Sequence, residues 1–360
     1  MAEFLFPGVY LEELPVHARA IEGVSTSIAA FLGAARRDLQ PAVVSSFVEF
    51  ERAVGSDAST FLALAVRGFF ENGGQRCYVT LSASTDPIAA GLEVLAAVRF
   101  SILCCPDEHE FPDAAARMVA GCEQRKDLFC ILQSPPPPVP AESHVPTVRS
   151  SYAAYYYPWL VVTSLDGQAS VTIPPCGHIA GAYARTDAQK GVHHAPAGIQ
   201  LLGVERLSDE INAAELESLA ARGINLLRTF PLQGAVVWSA RTTSEDPDWQ
   251  YVNVRRLSIF IEQSIVRGVQ WALFEPNAEA ASVAVTRIIE NFLLGLWKAG
   301  ALAGERPEDA FFVRCDRTTM TQADIDSGRF VVIVGVAPIR PAEFVIFRIS
   351  GGRRSGRAGA

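Results

Sequence analysis

The sequence lacks the local patterns that mark most catalytic and nucleotide-binding sites. It contains no G-x-x-x-x-G-K-[ST] phosphate loop, no G-x-G-x-x-G and no G-x-S-x-G. No two histidines are spaced as in H-E-x-x-H, and the adjacent His193 and His194 would point to opposite faces of a strand. Asp316, Asp324 and Asp326 do not form the D-x-D-x-D-G loop of a calcium site. We therefore predict no catalytic, cofactor-binding or metal-binding residues.

Charged residues, paired cysteines and long apolar runs are also scarce. Charged residues make up 19% of the 360 positions and the net charge is −8, which argues against a nucleic-acid-binding surface. The seven cysteines are odd in number and form no C-x-x-C, so we expect them to be small buried hydrophobes. No run approaches the roughly 18 apolar residues of a membrane span, and MAEFLFPGVY does not resemble a signal peptide. We expect a protein that folds in a cytoplasm, with no membrane insertion of its own.

The first half of the chain alternates short apolar strands with helices. The strand-like runs are VSTSIAAFLGAA, RCYVTL, FSILCCP and LFCILQSP, and the helix-like runs between them are STFLALAVRGFFENGG, DPIAAGLEVLAAV and DAAARMVAGCEQR. This alternation predicts βαβ units and a mostly parallel sheet with both faces covered. SSYAAYYYPWLVVTS predicts a helix or turn followed by a strand, with its tyrosines packed against the sheet rather than stacked on a sugar or base.

The character of the sequence changes near Gly191, where we place a domain boundary. GVHHAPAGIQLLGVERL predicts a loop and a β-hairpin, and NAAELESLAARGIN predicts a helix with a capping box between Asn212 and Glu215. Two strands are expected in NLLRTFPLQGAVVWSARTT, followed by two long helices, of which the second starts near Asn277 and stops before Gly300. Three strands close the chain. The predicted fold class is α/β, with an α+β arrangement in the C-terminal half.

Each terminus carries a proline-bounded, strand-like run that has no neighbour to pair with. These runs are FPGVYLEELP (6–15) and PAEFVIFRIS (341–350), and their surroundings differ in charge: −3 over residues 1–22 and +4 over residues 338–360. An unpaired strand must pair with another chain or stay exposed, so we predict pairing of N-arm with C-arm between subunits of an open polymer. The predicted N-arm contacts are Phe6, Pro7, Gly8, Val9, Tyr10, Leu11, Glu12 and Glu13. The predicted C-arm contacts are Phe344, Val345, Ile346, Phe347, Arg348, Ile349, Arg353 and Arg354.

About ten segments, in order along the chain, resemble the tail sheath proteins of contractile injection systems. This family includes contractile phage tails, R-type pyocins and phage-tail-like extracellular injection particles. The similar segments of the first half are FPGVYLEE, EGVSTSIAAFLG and FFENGGQRCYV. In the second half, KGVHHAPAG has His193 where Trp is usual, and GINLLRTFPLQGAVVWSARTT has Ser239 where Gly is common. The series ends with YVNVRRLSIFIEQSI, FEPN, FLLGLWKAGAL, FFVRCD and APIRPAEFVIFRI.

The resemblance implies a two-domain sheath subunit with an extended strand arm at each end. Its parts would be an N-arm (1–22) donated to a neighbour, an outer α/β domain (23–190), an inner, tube-facing domain (191–337) and a C-arm with a basic tail (338–360). Such subunits would stack as hexameric rings around an inner tube, with baseplate and cap or terminator proteins as further partners. Contraction would drive the tube through a target envelope without nucleotide hydrolysis.

The second long helix supplies the candidate contacts with the tube. These are its polar residues Arg287, Glu290, Asn291 and Lys298, for which an ordinary solvated helix face is the alternative. Because the chain is short for the family, we expect it to lack the extra surface domains of larger phage sheaths. Two other functions stay open: a minor sheath paralogue at the baseplate or cap, and an α/β enzyme or ligand-binding protein, suggested only by the N-terminal βα pattern.

Overall fold

The structure, a computed structural model, describes residues 20–140, 143–274, 278–315, 319 and 331–341. Its strands are β1 (Ala29–Ala34), β2 (Leu39–Val44), β3 (Cys77–Ser82), β4 (Ile102–Cys104), β5 (Phe129–Gln133), β6 (Ala153–Tyr157), β7 (Leu160–Thr163), β8 (Ser170–Ile173), β9 (Ile199–Gln200), β10 (Val204–Leu207), β11 (Ile224–Phe230), β12 (Gly234–Val237), β13 (Phe311–Arg314) and β14 (Ile333–Val336). Its helices are α1 (Phe47–Ala53), α2 (Thr60–Glu71), α3 (Pro87–Leu95), α4 (Ala114–Arg125), α5 (Cys176–Lys190), α6 (Ala213–Ala221), α7 (Val252–Gly268), α8 (Ala278–Lys298) and α9 (Pro307–Ala310).

Side chains at the helix starts explain where several of these helices begin. Ser46, Ser59 and Asp86 each accept a hydrogen bond from a backbone N–H in the first turn of α1, α2 and α3, respectively. The predicted capping box of α6 is confirmed, since Glu215 N–H donates to Asn212 Oδ1 at 3.0 Å and Asn212 N–H donates to Glu215 at 2.9 Å. These caps satisfy backbone donors that a helix leaves unpaired at its N-terminus.

A nine-stranded sheet organises most of the chain. Its strand order is β2-β3-β1-β4-β5-β6-β11-β12-β9, and the pairs from β3 to β11 are parallel. One face packs on α2 and α5, through residues such as Leu62 and Ile179, and the other on α3, α4 and α6, through residues such as Ile88 and Met118. The predicted mostly parallel sheet with two covered faces is therefore confirmed. We call this sheet with α2–α6 the sheet layer.

Glycines let α2 and α5 approach each other closely beneath the sheet. A Cβ at Gly177 of α5 would stand 2.2 Å from the carbonyl oxygen of Ala65, and one at Gly181 would stand 2.5 Å from that of Phe69. No other residue fits at such distances, because the obstacle is the backbone of the facing helix. The two glycines lie four residues apart and hence on one face of α5.

Two predictions of local structure were wrong. SSYAAYYYPWLVVTS begins with a turn at Ser151–Tyr152, one of the predicted alternatives, but continues as two strands, β6 and β7, where one was expected, because β6 pairs with both β5 and β11 inside the sheet. The predicted hairpin in GVHHAPAGIQLLGVERL does not form, since β9 pairs with β12 and β10 pairs with β7 in a separate β10-β7-β8 sheet. In both cases a distant strand supplied the pairing partner. The expected packing of the tyrosines against the sheet is confirmed by the buried Tyr155, Tyr156 and Tyr157.

The C-terminal elements form a second cluster around the two long helices. The apolar faces of α7 and α8 meet through residues such as Leu257, Ile261, Val285 and Ile289, as their helical spacing predicted. Strands β13 and β14 pair antiparallel and pack on the same cluster. We call α7, α8, α9, β13 and β14 the helical unit. No helix within the described ranges is long and apolar enough to cross a membrane.

The boundary predicted near residue 190 does not divide the nine-stranded sheet. Strands β9, β11 and β12 follow this boundary, yet they extend the sheet that β1–β6 begin. The predicted start of α8 at Asn277 lies outside the described residues, as does the last predicted strand, AEFVIFRIS. The predicted end of α8 before Gly300 is confirmed.

Candidate assembly surfaces

The two-stranded sheet β13–β14 has edges to which a further strand could be added. Phe311 pairs with Val336 and Arg314 with Ile333, and neither strand pairs with a third strand among the described residues. No position of either strand is fully buried. Two strands alone are marginally stable in water, and open edges accept additional strands. This sheet is the part of the helical unit best suited to receive a strand from another chain.

The chain leaves β14 toward the C-terminus along a firmly anchored path. Leu302 and Pro338 form a β-bridge, and Asn253 at the start of α7 donates its amide N–H to the carbonyl oxygens of both His193 (2.9 Å) and Ile339 (3.1 Å). Arg340 pairs with Asp248 at 2.7 Å. The predicted C-arm residues themselves, Phe344–Ile349 with Arg353 and Arg354, lie outside the described residues.

The N-terminal segment is anchored at the other end of α7. The Val24 N–H donates to Ser264 Oγ at 3.1 Å, and Ile21 lies so close to Gly268 that a Cβ there would stand 2.6 Å from it. Ser264 follows Asn253 by eleven positions along the helix, which corresponds to a distance of about 17 Å along the helix axis. One helix therefore holds the exits of both terminal segments at a fixed spacing. The predicted N-arm residues Phe6–Glu13 lie outside the described residues.

A buried ion pair joins α7 to the sheet layer. Arg256 of α7 donates to both carboxylate oxygens of Asp187 in α5, at 2.9 and 2.6 Å, and to the carbonyl oxygen of Thr26 at 2.8 Å. The Thr26 hydroxyl completes the group by donating to Asp187 at 2.6 Å. The side chains of Arg256 and Asp187 are 3% and 5% exposed. A bidentate pair with its remaining donors satisfied fixes orientation as well as distance.

The four candidate tube contacts lie together on the outer face of α8. Arg287, Glu290, Asn291 and Lys298 are all exposed, whereas the opposite face of α8 is buried against α7. At 100° per residue, Arg287, Asn291 and Lys298 fall within about 40° of arc and Glu290 lies about 60° to one side. The structure gives none of the four a hydrogen bond or ion pair to another described residue. Their charges are thus available to a partner.

Three asparagines explain why several motif segments lie where they do. Asn72 of ENGG binds both backbone groups of Leu202, accepting its N–H at 2.8 Å and donating to its carbonyl at 3.0 Å. Asn225 of GIN does the same to Arg241, at 2.6 and 2.7 Å. Asn253 of YVN makes the double contact described above. Sequence reasoning missed these roles, although an asparagine inside an otherwise apolar run is a usable signal, because a buried amide needs partners.

The buried acids Asp107 and Glu108 form the cluster that most resembles a chemical site, and the sequence analysis overlooked it. Burial raises the pKa of Glu108 to about 8 even though its carboxylate accepts the Gln133 N–H at 3.0 Å. Burial also raises the pKa of Asp107 to about 6, against the opposing effect of the Ser59 hydroxyl that donates to it at 2.6 Å. No metal-binding group of three His, Cys, Asp or Glu side chains occurs in the described part of the chain. All seven cysteines are buried, as predicted.

Comparison with known proteins places these surfaces in context. Residues 82–243 match the family model of the phage tail sheath protein central domain, and residues 244–350 match that of the phage tail sheath C-terminal domain. The sheath of an extracellular contractile injection system, PVC, in the contracted state is 30% identical, with a TM-score of 0.83 over 98% of this chain and 99% of that one. The chain belongs to the tail sheath protein family.

Other sheath proteins extend the comparison. The helical sheath of the anti-feeding prophage, in the contracted state, is 32% identical with a TM-score of 0.80, over 96% of this chain and 99% of that one. The tail sheath protein of Vibrio phage KVP40 is 29% identical over 177 residues, which are 48% of this chain and 26% of the phage protein. The chain thus aligns with about a quarter of that longer relative.

The family assignment decides the broad function. This sheath protein is a structural subunit of a contractile tail or injection system, and a component of a phage tail or an extracellular injection particle. Its relatives are structural proteins and not enzymes, so the alternative of an α/β enzyme is excluded. At the two motif departures, the carbonyl oxygen of His193 accepts the Asn253 amide N–H at 2.9 Å, and the Ser239 hydroxyl accepts the Leu226 N–H at 3.3 Å.

Proposed function

We propose that this sheath subunit polymerises as stacked hexameric rings around an inner tube and contracts to drive the tube through a target envelope. No nucleotide is hydrolysed, because the energy is stored when the extended polymer assembles. The similarity to two sheaths in the contracted state supports a subunit that changes its packing within an intact polymer. Assembly takes place in the cytoplasm of the producing cell.

The open-edged sheet β13–β14 is the observation that carries this proposal. In the polymer, the strand runs Phe6–Glu13 and Phe344–Ile349 of neighbouring subunits add to its edges, and Arg353 and Arg354 supply positive charge beside the acidic N-arm. Backbone hydrogen bonds to the added strands complete a sheet that is marginal with two strands. The opposite net charges of the two arms favour pairing of unlike arms.

The arms remain attached during contraction because their exits are fixed to the subunit body. Asn253 and Ser264 hold the two exits at opposite ends of α7, so tension between neighbours passes along one helix. Residues 23–190 form the outer part of the subunit and residues 191–337 provide its inner part, with α8 facing the tube. Arg287, Glu290, Asn291 and Lys298 make polar contacts of modest strength, which release when the rings rotate. Baseplate and cap or terminator proteins bind the two ends of the polymer; similarity to an anti-feeding prophage baseplate structure supports the first of these.

Electron microscopy of the purified protein tests strand exchange. Wild-type protein expressed alone, or with its tube protein, is expected to form ribbed hollow cylinders. Deletion of residues 1–15 should leave a folded, monomeric protein with an unchanged circular dichroism spectrum. Long cylinders formed by the truncated protein would contradict the exchange of arms.

Co-sedimentation with the tube protein tests the face of α8. Arg287→Glu with Lys298→Glu should abolish tube-filled cylinders without preventing empty ones. Arg52→Glu is the matched control, since Arg52 is an exposed arginine on α1, a helix outside the helical unit. Equal loss of tube binding in both variants would contradict a specific tube contact on α8.

The relative amount of subunit in a particle separates a main sheath protein from a minor paralogue. The chain is 32% identical both to a helical sheath structure and to a baseplate structure of the anti-feeding prophage. A main sheath subunit should be among the most abundant proteins of purified particles, at six copies per ring. A few copies per particle would assign it to the baseplate or cap.

A further inference from the structure

The hairpin that joins β11 to β12 projects a large apolar side chain into solvent. Leu232 at its tip is fully exposed, at 106% of the reference value, and its φ is +69°. A left-handed conformation is unfavourable for leucine, and an exposed side chain gives the isolated subunit no compensating stabilisation. A strained residue that holds an apolar group outward indicates a contact that the isolated subunit does not make.

Behind Leu232, aromatic rings and an arginine extend the same surface. The rings of Phe230 and Trp238 lie 4.8 Å apart, and the Arg228 guanidinium lies 5.2 Å from each ring centroid. Trp238 is 46% exposed. Within the described residues, Arg228 has no carboxylate partner. We call Arg228, Phe230, Leu232 and Trp238 the hairpin tip: apolar, aromatic and positively charged, the composition of interaction hot spots.

A groove of complementary character lies at the other edge of the nine-stranded sheet. It has a volume of about 380 Å³ and runs between β2, β3 and α3. Ala83, Ala90 and Val94 supply apolar walls, and the carboxylates of Asp38 and Glu93 lie at its rim. Asp38 accepts the Ala83 N–H at 2.7 Å, and neither acid forms an ion pair within the described part of the chain. We call this feature the rim groove.

The strand order places the hairpin tip and the rim groove so that one molecule cannot join them. Both lie at the carboxyl ends of the parallel strands, since Phe230 ends β11 and Ser82 ends β3. Five strand spacings separate β3 from β11, which is about 24 Å. A second copy placed side by side, however, would bring the hairpin tip of one subunit to the rim groove of the next.

We propose that the hairpin tip of one subunit docks into the rim groove of its neighbour. Leu232 enters between Ala83, Ala90 and Val94, and Arg228 faces Glu93 and Asp38. This contact joins different surfaces of identical chains, so it repeats head to tail and generates a ring or a helix. It rests on the proposed polymer and adds to it a lateral contact in the sheet layer, separate from the exchange of arms.

Exchange of charges across the contact tests the pairing of these two surfaces. Arg228→Glu should raise the protein concentration needed for assembly at least about tenfold, because like charges then face each other. Adding Glu93→Arg to the same chain should restore assembly to within about threefold of wild type. A double variant that assembles no better than Arg228→Glu alone would overturn the contact.

Cysteine cross-linking tests the same contact by proximity. All seven native thiols are buried, so they should remain unreactive in the folded protein. The variant Leu232→Cys/Ala83→Cys should give a ladder of covalent oligomers beyond the dimer on oxidation of assembled protein. Leu232→Cys/Val266→Cys is the matched control. Val266 is exposed like Ala83, at 56%, but it lies on α7, away from the rim groove. A ladder in the control and none in the first variant would overturn the proposal.

The two levels of proposal fail differently in these experiments. Wild-type protein that stays monomeric with and without its tube protein would contradict both the polymer and the lateral contact. Wild-type cylinders combined with failed charge exchange and no ladder would contradict only the contact between hairpin tip and rim groove.

Discussion

The sheet layer and the helical unit bury their strands to very different extents. All five residues of β5 and all five of β6 are buried, whereas β13 and β14 contain no fully buried position. The first pair lies inside a nine-stranded sheet with helices on both faces, and the second pair forms a sheet of two strands. The sheet layer is a finished structure, while the helical unit presents strands that gain stability only when more are added.

This difference shows how a subunit can both hold its shape and exchange strands. Polar contacts at its center are satisfied internally, as in the group formed by Arg256, Asp187 and Thr26. On the outer face of α8, by contrast, four polar residues have no hydrogen-bond or ion-pair partner within the described chain: Arg287, Glu290, Asn291 and Lys298. A rigid subunit that carries unpaired strand edges and polar groups at one end suits a polymer in which each subunit moves as a rigid body.

Breaking the ion pair between the two regions should have the largest effect on stability. Arg256→Leu leaves the Asp187 carboxylate buried without its partner, which should cost about 3–5 kcal/mol. Urea unfolding of the variant measures this loss. The exposed pair of Arg340 and Asp248, with side chains 50% and 74% exposed, provides the contrast, and Arg340→Leu should cost less than about 1 kcal/mol. Similar losses for both variants would show that burial does not govern the strength of these pairs.

A pair of glycine substitutions should sharpen the comparison further. Gly177→Ala in α5 places a methyl group against the backbone of α2 and should cost about 1–3 kcal/mol or more. Gly295→Ala in α8 meets nothing within 4 Å, and should instead stabilise the protein by about 0.5–1 kcal/mol through higher helix propensity. Thermal unfolding should show a lower melting temperature for Gly177→Ala and a higher one for Gly295→Ala than for the wild type. Destabilisation by Gly295→Ala would indicate that α8 is packed more tightly on its outer face than the structure has it.

The buried acid of the sheet layer should make stability depend on pH. Glu108 has a pKa of about 8 in the folded protein and an ordinary value of 4.5, so the folded state binds a proton that the unfolded state has lost. Stability is therefore greatest below pH 4.5 for this group and is lost as the pH rises through 8. Between pH 7 and 8 the loss should be about 1 kcal/mol.

Glu108→Gln is the matched control for this pH dependence. The amide keeps the size of the side chain but does not titrate. From pH 7 to 8 the wild type should therefore lose stability relative to the variant. Buried His178, whose pKa burial lowers to about 3, contributes its own pH dependence only at lower pH. A difference that stays constant over this range would contradict a protonated Glu108.

The sheet layer could be predicted from sequence in far more detail than its internal contacts. An apolar run such as LFCIL identifies a strand, and a cap residue such as Ser59 identifies the start of a helix. Both signals lie within a few residues of the element that they predict. The close crossing of α2 and α5 was not predictable, because Gly177 reads as an ordinary weak helix residue until its neighbour is known. For the same reason the sequence predicts a hairpin over β9 and β10, although their partners β12 and β7 lie elsewhere in the chain.

The assembly surfaces divide in the same way. The polar face of α8 follows from helical spacing, and all four predicted residues lie on it. The roles of Asn253 and Ser264 do not follow from spacing, because their partners are distant in the sequence. Ile339 lies 86 residues from Asn253, and Val24 lies 240 residues from Ser264. The arms are inferred from prolines and charges alone, so both the arms and their pairing stay predictions.

The smallest expected effect concerns the anchor of the N-terminal segment. Ser264→Ala removes the acceptor of the Val24 N–H, which should lower local stability by about 1 kcal/mol and speed hydrogen exchange of that amide roughly fivefold. Global unfolding should hardly change, because the variant loses one hydrogen bond while Ile21 of the same segment keeps its packing on α7. Ser258→Ala is the matched control, since Ser258 is buried on the same helix but donates only to Val254 within it. Faster exchange of the Val24 amide in both variants would mean that α7 as a whole has loosened and that Ser264 is not a specific anchor.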